Sequence, residues 1–271
     1  MDNRPIGVFD SGMGGLTTVR EMAKQMPNET VIYFGDTGRV PYGSRSHDTI
    51  VKYARQDVAF LRTFDLKAIV IACGTVSSAA LSEISAEQDI PVFGVVGPTA
   101  LRAAEVTRNN RIGLIATKAT VGTGAYERVM RHANPMAEIY SLACPLFVPL
   151  VENGRTCPGD VVIETVVKDY LTPMKEAGVD TLVLGCTHYP LLTEVIQNFM
   201  GPEVTLLDSG AEVVRQVRSR LHASNQEADP DRKGYYRWYV SDSTENFSEL
   251  ASRFLGRPVT EPVSQVAIER Y

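Results

Sequence analysis

Two short stretches, AIVIACGT at residues 68–75 and TLVLGCTH at residues 181–188, decide the fold of this 271-residue chain. Each is a run of aliphatic residues that ends in a cysteine, Cys73 or Cys186, followed by small or hydroxylic residues and a predicted helix. An apolar run without polar alternation is typical of a strand buried on both faces of a parallel sheet. Both cysteines are therefore predicted at the carboxyl ends of parallel strands, the edge where open α/β sheets bind ligands.

Cys73 and Cys186 are either buried core residues or reactive groups of an active site. Free cysteine is among the most buried residue types, so a core role is the ordinary alternative. Each thiol also precedes a predicted helix start, where free N–H groups and the helix dipole lower a thiol pKa from about 8.5 to roughly 3.5–7.5. Because Cys73 and Cys186 have matching sequence contexts, we favour the reactive role for both. Cys144 and Cys157 match no motif and are predicted to be structural.

Composition and charge narrow the class of protein. With 44% hydrophobic residues, the chain can bury one large core or two of ordinary size. The formal net charge of −5 and the lack of a basic run argue against nucleic acid as a partner. No stretch approaches about 18 uninterrupted apolar residues and no signal region opens the sequence, so we expect no membrane partner and a cytoplasmic location. The cysteine spacing predicts no metal site and free thiols in a reducing compartment.

Strand and helix signals alternate along the chain. Strands are predicted at residues 6–9, 30–34, 68–72, 91–95, 111–116, 138–142, 181–184, 204–207 and 236–241. Helices are predicted at residues 16–26, 47–64, 76–85, 121–131, 160–177, 211–221 and 245–255, with a further helix ending at residue 200. Residues 145–152 are predicted to be an irregular loop, Asp208 and Ser209 to cap the next helix, and the tail to return to the first domain.

A glycine-rich turn, DSGMGG at residues 10–15, follows the first predicted strand. Such a turn offers backbone N–H groups to an anion, because glycine lets the backbone come close to it. The pattern is neither GxxxxGK[ST] nor a full GxGxxG, so it is a weak nucleotide signal. A carboxylate suits the same donors.

A short internal repeat indicates two similar halves. IGVFDS at residues 6–11 matches IGLIAT at residues 112–117, and VIAC at residues 70–73 matches VLGC at residues 183–186. The offsets, 106 and 113 residues, are nearly equal. The predicted fold class is therefore α/β, with two similar parallel-sheet domains related by pseudo-twofold symmetry and an active site in the cleft between them.

The predicted domain limits follow from this repeat. The first domain is discontinuous, takes residues 1–97 plus 209–271 and carries Cys73. The second domain takes residues 98–208 and carries Cys186.

Two opposed thiols suit the inversion of a stereocentre. One group removes a proton from one face of a carbon while the other delivers a proton to the opposite face. One must be thiolate and the other thiol, and the coupled pair has no single pKa for either group. A cysteine hydrolase or lyase would instead depend on one thiol. A purely binding protein, with the glycine-rich turn holding a nucleotide or an anion, would leave both cysteines unexplained.

Four motifs resemble those of bacterial glutamate racemases, which belong to the aspartate/glutamate racemase superfamily. They are DSGMGG at 10–15, PYG at 41–43, VENG at 151–154 and GCTHYP at 185–190, and the similarity runs along essentially the whole chain. The resemblance implies a two-domain, cofactor-independent enzyme, expected to be a homodimer, that interconverts L- and D-glutamate for peptidoglycan synthesis. A racemase of aspartate or another amino acid would keep both thiols and differ in the pocket.

The same resemblance implies the site residues. The implied catalytic residues are Cys73, which exchanges the proton with D-glutamate, Cys186, which exchanges it with L-glutamate, and the assisting residues Asp10, His188 and Glu152. The implied substrate contacts are Asp10, Ser11, Tyr42, Gly43, Gly74, Thr75, Thr187 and His188. For three of these residues an ordinary role stays open: Asp10 and His188 as helix caps, and Glu152 as a surface glutamate.

One position departs from the family pattern. The family usually has Cys-Asn-Thr where this chain has Cys73-Gly74-Thr75, so a side-chain amide is missing. The loss of one hydrogen bond costs about 0.5–1.5 kcal/mol, roughly threefold to tenfold in affinity. We therefore expect weaker binding or altered substrate choice rather than a different reaction.

Overall fold

Two all-parallel β-sheets flanked by helices make up the computed structural model, which describes residues 1–245 and 247–271. In chain order the strands are β1 (Ile6–Asp10), β2 (Val31–Gly35), β3 (Ala68–Ile71), β4 (Val92–Gly94), β5 (Arg111–Ala116), β6 (Glu138–Ala143), β7 (Thr181–Leu184), β8 (Thr205–Asp208), β9 (Tyr236–Val240) and β10 (Val263–Gln265). The helices are α1 (Leu16–Gln25), α2 (His47–Leu61), α3 (Gly74–Ala79), α4 (Leu81–Ala86), α5 (Val96–Val106), α6 (Lys118–Thr123), α7 (Ala125–Ala133), α8 (Phe147–Glu152), α9 (Val161–Glu176), α10 (Thr193–Met200), α11 (Ser209–Ala223) and α12 (Phe247–Leu255).

The two sheets repeat one topology. The first has the strand order β10-β9-β2-β1-β3-β4 and the second has the order β6-β5-β7-β8. The run β2-β1-β3-β4 thus recurs as β6-β5-β7-β8. The register recurs as well, because Ile6 lies opposite Ala68 between β1 and β3, while Ile112 lies opposite Thr181 between β5 and β7. The internal repeat is real, and the predicted fold class of two similar parallel-sheet α/β units is confirmed.

The central strands are apolar because they are covered on both faces. Every residue of β1, β2, β3 and β7 is buried, as expected for parallel strands between helical layers. The helix over residues 47–64 is also confirmed in outline, and its predicted inner face is buried: Ile50, Ala54, Val58 and Leu61. The tail returns to the first sheet as predicted, with β9 paired to β2.

Three predicted elements differ in the structure. The loop predicted at residues 145–152 is wrong, since α8 forms there and buries Phe147 and Val151. The helix predicted over residues 76–85 breaks at Ala80, whose φ of −125° is not helical, into α3 and α4. The helix predicted over residues 121–131 starts earlier and breaks at Gly124, whose φ of +61° favours glycine.

The tail also departs in detail from the prediction. Strand β10 was not anticipated, and it extends the first sheet beyond β9. The last predicted helix, over residues 245–255, is α12, and its predicted second residue, Asn246, lies outside the described residues. The domain limits drawn from the sequence remain a prediction.

No helix in residues 1–245 or 247–271 has the length and apolar character needed to cross a bilayer.

The predicted cap of α11 forms, and it yields a stability test. The Asp208 carboxylate accepts hydrogen bonds from the backbone N–H groups of Gly210 at 2.8 Å and Ala211 at 3.3 Å. We expect Asp208→Ala to lower the free energy of unfolding by about 1 kcal/mol, because these N–H groups lose their acceptor. Urea denaturation measures the change. The exposed mid-helix variant Asp169→Ala is the control, and equal stabilities of the two variants would contradict the capping role.

Candidate active site

A cavity of about 510 Å³ is lined by the loops that follow the strands of both sheets. Its lining includes every site residue predicted from the sequence except Asp10: Ser11, Tyr42, Gly43, Cys73, Gly74, Thr75, Glu152, Cys186, Thr187 and His188. Both cysteines are therefore brought to one cavity, as expected from two strands that each end in a thiol.

Cys73 is held as a neutral thiol. It follows β3, occupies the N-cap position of α3, and its Sγ donates to the Ser11 hydroxyl at 3.3 Å. Burial and the nearby Asp10 carboxylate raise the pKa of Cys73 to about 12. The lowered pKa expected from the helix start is thus wrong for this thiol, because desolvation and a like charge outweigh the short helix.

Cys186 has a different electrostatic environment. It follows β7 and Gly185, and its Sγ lies 3.9 Å from Nδ1 of His188. The other ring nitrogen of His188, Nε2, lies 3.1 Å from Oε1 of Glu152. The three side chains form a line of hydrogen-bonding groups from the thiol to the cavity wall.

His188 is cationic at neutral pH. Burial alone would lower its pKa, but the hydrogen bonds to Cys186 and Glu152, with the charges of Cys186 and Asp10, raise the pKa of His188 to about 10. A cation beside a thiol favours the thiolate. The structure therefore places a cation beside Cys186 and a neutral hydroxyl beside Cys73.

The His188 shift also links folding to pH. A histidine with a raised pKa binds its proton more tightly in the folded chain, so its contribution to stability is complete below the ordinary value of 6.5. The contribution is lost as the pH rises through about 10.

Asp10 lies behind the cavity wall. Its carboxylate is 1% exposed and accepts hydrogen bonds from the Gly12 N–H at 3.0 Å and the Thr187 hydroxyl at 3.4 Å. Burial raises the pKa of Asp10, whereas the charge of His188 acts in the opposite direction. Asp10 thus fixes the glycine-rich turn of the first half against Thr187 of the second half, and its charge acts on Cys73 and on His188.

The Tyr42 hydroxyl does not face the cavity. It donates to Asp36 and lies 3.2 Å from Oδ2 of Asp57, and both carboxylates are fully buried. Arg39 binds the same pair, with Nε 2.6 Å from Asp36 and Nη2 2.8 Å from Asp57. Tyr42 therefore contributes its aromatic ring to the cavity lining, and Gly43 contributes its backbone. The buried charged groups around the Tyr42 hydroxyl hold both in place.

A cluster of threonine hydroxyls joins the halves at the opposite wall. Thr75 of the first half lies 3.0 Å from Thr117 and 3.4 Å from Thr120 of the second, measured between hydroxyl oxygens. Thr117 was missed as a site residue, although the internal repeat aligns it with Ser11. Other lining residues were missed as well, among them Lys118 and Cys144. Cys144, predicted to be structural, is fully buried and borders the cavity.

Metal-ligating side chains do not converge in the part of the chain that the structure describes: no three His, Cys, Asp or Glu residues are placed to hold an ion there.

Known racemases share the sequence and the fold of this chain. Residues 6–217 match the family model described as Asp/Glu/Hydantoin racemase. The glutamate racemase of Geobacter metallireducens is 44% identical over 266 residues, 98% of this chain and 97% of that protein. The crystal structure of glutamate racemase isoform RacE1 from Bacillus anthracis is 35% identical, covers 98% of each chain and superposes with a TM-score of 0.92. The crystal structure of the Francisella tularensis glutamate racemase in complex with D-glutamate is 36% identical, covers 100% of each chain and superposes with a TM-score of 0.91. The chain belongs to the Asp/Glu/hydantoin racemase family.

The His188–Glu152 contact yields a prediction about protonation. We expect Glu152→Gln to lower the pKa of His188 from about 10, because a neutral amide stabilises the imidazolium less than a carboxylate does. The ring nitrogen shifts of His188 in a ¹⁵N-edited NMR titration report the change. Glu194→Gln, at an exposed position in α10, is the control, and an unchanged titration of His188 in Glu152→Gln would mean that Glu152 does not hold the proton there.

Proposed function

We propose that this chain is a glutamate racemase that inverts the α-carbon of glutamate with two cysteines and no cofactor. The observation that carries the proposal is the pair of thiols, Cys73 and Cys186, which follow matching strands of two similar halves and line one cavity. The glutamate substrate is supported by relatives named glutamate racemase and by a homologous structure in complex with D-glutamate.

From L-glutamate, the Cys186 thiolate takes the α-proton and becomes a thiol. The electron pair of the broken C–H bond stays on the substrate carbon, and the Cys73 thiol gives its proton to the opposite face. The products are D-glutamate, a Cys73 thiolate and a Cys186 thiol, and the reverse reaction runs the same steps backwards. Because Cys73 is neutral and a cation lies beside Cys186, we propose that the resting enzyme is ready to accept the α-proton of L-glutamate at Cys186.

The supporting residues act on these two thiols. His188 and Glu152 stabilise charge at Cys186, and Ser11 rotates its hydroxyl to donate to the Cys73 thiolate once that group has lost its proton. Asp10 maintains the relation of the two halves from behind the cavity.

Substrate binding relies on hydroxyl and backbone groups. The proposed donors to the carboxylates are the hydroxyls of Ser11, Thr75 and Thr187 and the backbone N–H groups of Gly43 and Gly74, all on the cavity lining. Several neutral donors hold a carboxylate well when water is excluded.

The proposed biological role is the supply of D-glutamate for peptidoglycan, by a cytoplasmic homodimer. Each protomer consists of a discontinuous first domain, residues 1–97 plus 209–271, and a second domain, residues 98–208.

Incubation with L-glutamate in D₂O, without added cofactor, tests the reaction. We expect D-glutamate that carries deuterium at the α-carbon, because the proton that Cys73 delivers comes from solvent. Circular dichroism follows inversion and ¹H NMR follows the loss of the α-proton. A panel that includes aspartate identifies the substrate, and inversion of aspartate but not glutamate would replace the substrate and keep the reaction.

Single cysteine variants test the two-thiol mechanism. We expect Cys73→Ala and Cys186→Ala each to lower kcat/KM by about 10²- to 10⁴-fold, because each removes one proton-transfer group. Cys157→Ala, at an exposed position away from the cavity, is the matched control. If one cysteine variant retained full activity in both directions, a single-thiol mechanism would have to replace this one.

A further inference from the structure

The residue after one thiol touches the residue before the other. Gly74 directly follows Cys73, and Gly185 directly precedes Cys186. A Cβ atom built on Gly74 would lie closer than 3.0 Å to the Gly185 carbonyl oxygen, which real Cβ atoms essentially never do. Gly74 and Gly185 are the direct chain neighbours of the two cysteines, so this non-bonded contact limits how closely the backbones that carry Cys73 and Cys186 approach each other.

The Gly185 carbonyl cannot move aside by itself. The N–H of Gly185 donates to the Ile115 carbonyl at 2.8 Å, which ties the residue to β5. The α-carbon of Gly185 is also enclosed, because a Cβ there would meet the Ile115 carbonyl and the Leu114 side chain at 3.0 Å. An atom added at Gly74 must therefore displace either this strand end, with Cys186, or the start of α3, with Cys73.

The contact is one of several between the halves around the cavity. A Cβ on Gly43 would lie 3.1 Å from Cβ of Thr117, and one on Gly14 would overlap Thr187. The Thr17 hydroxyl donates to the Thr187 carbonyl at 2.9 Å. The two halves therefore meet directly at several points around the cavity.

We propose that Gly74 is a positioning residue that sets the separation of the Cys73 and Cys186 thiols by letting the two halves meet without an intervening side chain. The inference rests on the two-thiol mechanism proposed above. It revises the expectation that Gly74 only lacks an amide contact, since a larger residue has no room unless the cleft widens. Proton transfer is sensitive to such widening, and a misplacement of about 1 Å can reduce the rate about 10²-fold.

Two substitutions at this position test the proposal. We expect Gly74→Ala to lower kcat by about 10- to 100-fold in both directions with a smaller change in KM, because proton transfer is lengthened while substrate contacts remain. Gly74→Asn should lower kcat at least as much. Gly97→Ala, at a helical glycine of α5 with open space around it, is the matched control and should keep wild-type kinetics.

A second readout separates positioning from unfolding. The φ of Gly74 lies outside the left-handed region, so alanine fits the local backbone. Gly74→Ala should therefore still unfold in one cooperative thermal transition, with a melting temperature lowered by the displaced backbone. In D₂O, we expect the recovered starting enantiomer to gain more deuterium with Gly74→Ala than with the wild type. A carbanion out of reach of the far thiol persists until the near thiol has exchanged its abstracted proton with solvent, and that thiol then returns deuterium to the original face.

Three results would overturn the inference: unchanged kcat in Gly74→Ala, a higher kcat/KM in Gly74→Asn, or a wild-type crystal structure with room for a methyl group between Gly74 and the Gly185 carbonyl. The wild-type crystal structure tests the inference even if the variants do not fold. Failure of the proposed function is distinguishable, because the wild-type protein itself would then invert neither enantiomer of glutamate.

Discussion

The parallel pairing of β1 with β3 and of β5 with β7, in one shared register, is the constraint on which the site depends. Parallel strands end at a common sheet edge, so each pairing places a cysteine beside the loop that follows the neighbouring strand. In the first half that neighbour is the glycine-rich turn with Ser11, and in the second half it is Thr117. These strands are buried by apolar side chains on both faces, so the sheet edges that carry the cavity residues are rigid.

The backbone of the site is nearly symmetric, but its charge is not. Cys73 faces a neutral hydroxyl and the buried Asp10, whereas Cys186 faces the His188 cation supported by Glu152. The matching backbone brings two like groups to one cavity, and the unequal charges around them distinguish the two thiols. A reversible inversion needs both conditions, since two thiols in identical states could not act as acid and base in the same turnover.

Buried charge behind the wall has a structural purpose as well. Asp36, Asp57 and Arg39 form a hydrogen-bonded group around the Tyr42 hydroxyl, and burial together with the Asp36 charge raises the pKa of Asp57 well above its usual value. Removing one partner from such a group leaves an unpaired buried charge, which is far more costly than the intact group. The loop that carries Gly43 is therefore held firmly against Thr117.

The sequence by itself determined the α/β class, the strand ends, the internal repeat and the two cysteines, because these depend on local apolar runs and on residue order. It failed for α8, whose helix forms because Phe147 packs against Tyr189 from a distant part of the chain. Only the tertiary structure decided the raised pKa of Cys73, the turning of Tyr42 away from the cavity and the contact of Gly74 with Gly185. The pKa of Cys73 depends on burial, the direction of Tyr42 on a contact across a loop, and the Gly74 contact on a residue more than 100 positions away. No local sequence pattern encodes the distance between groups that only folding brings together.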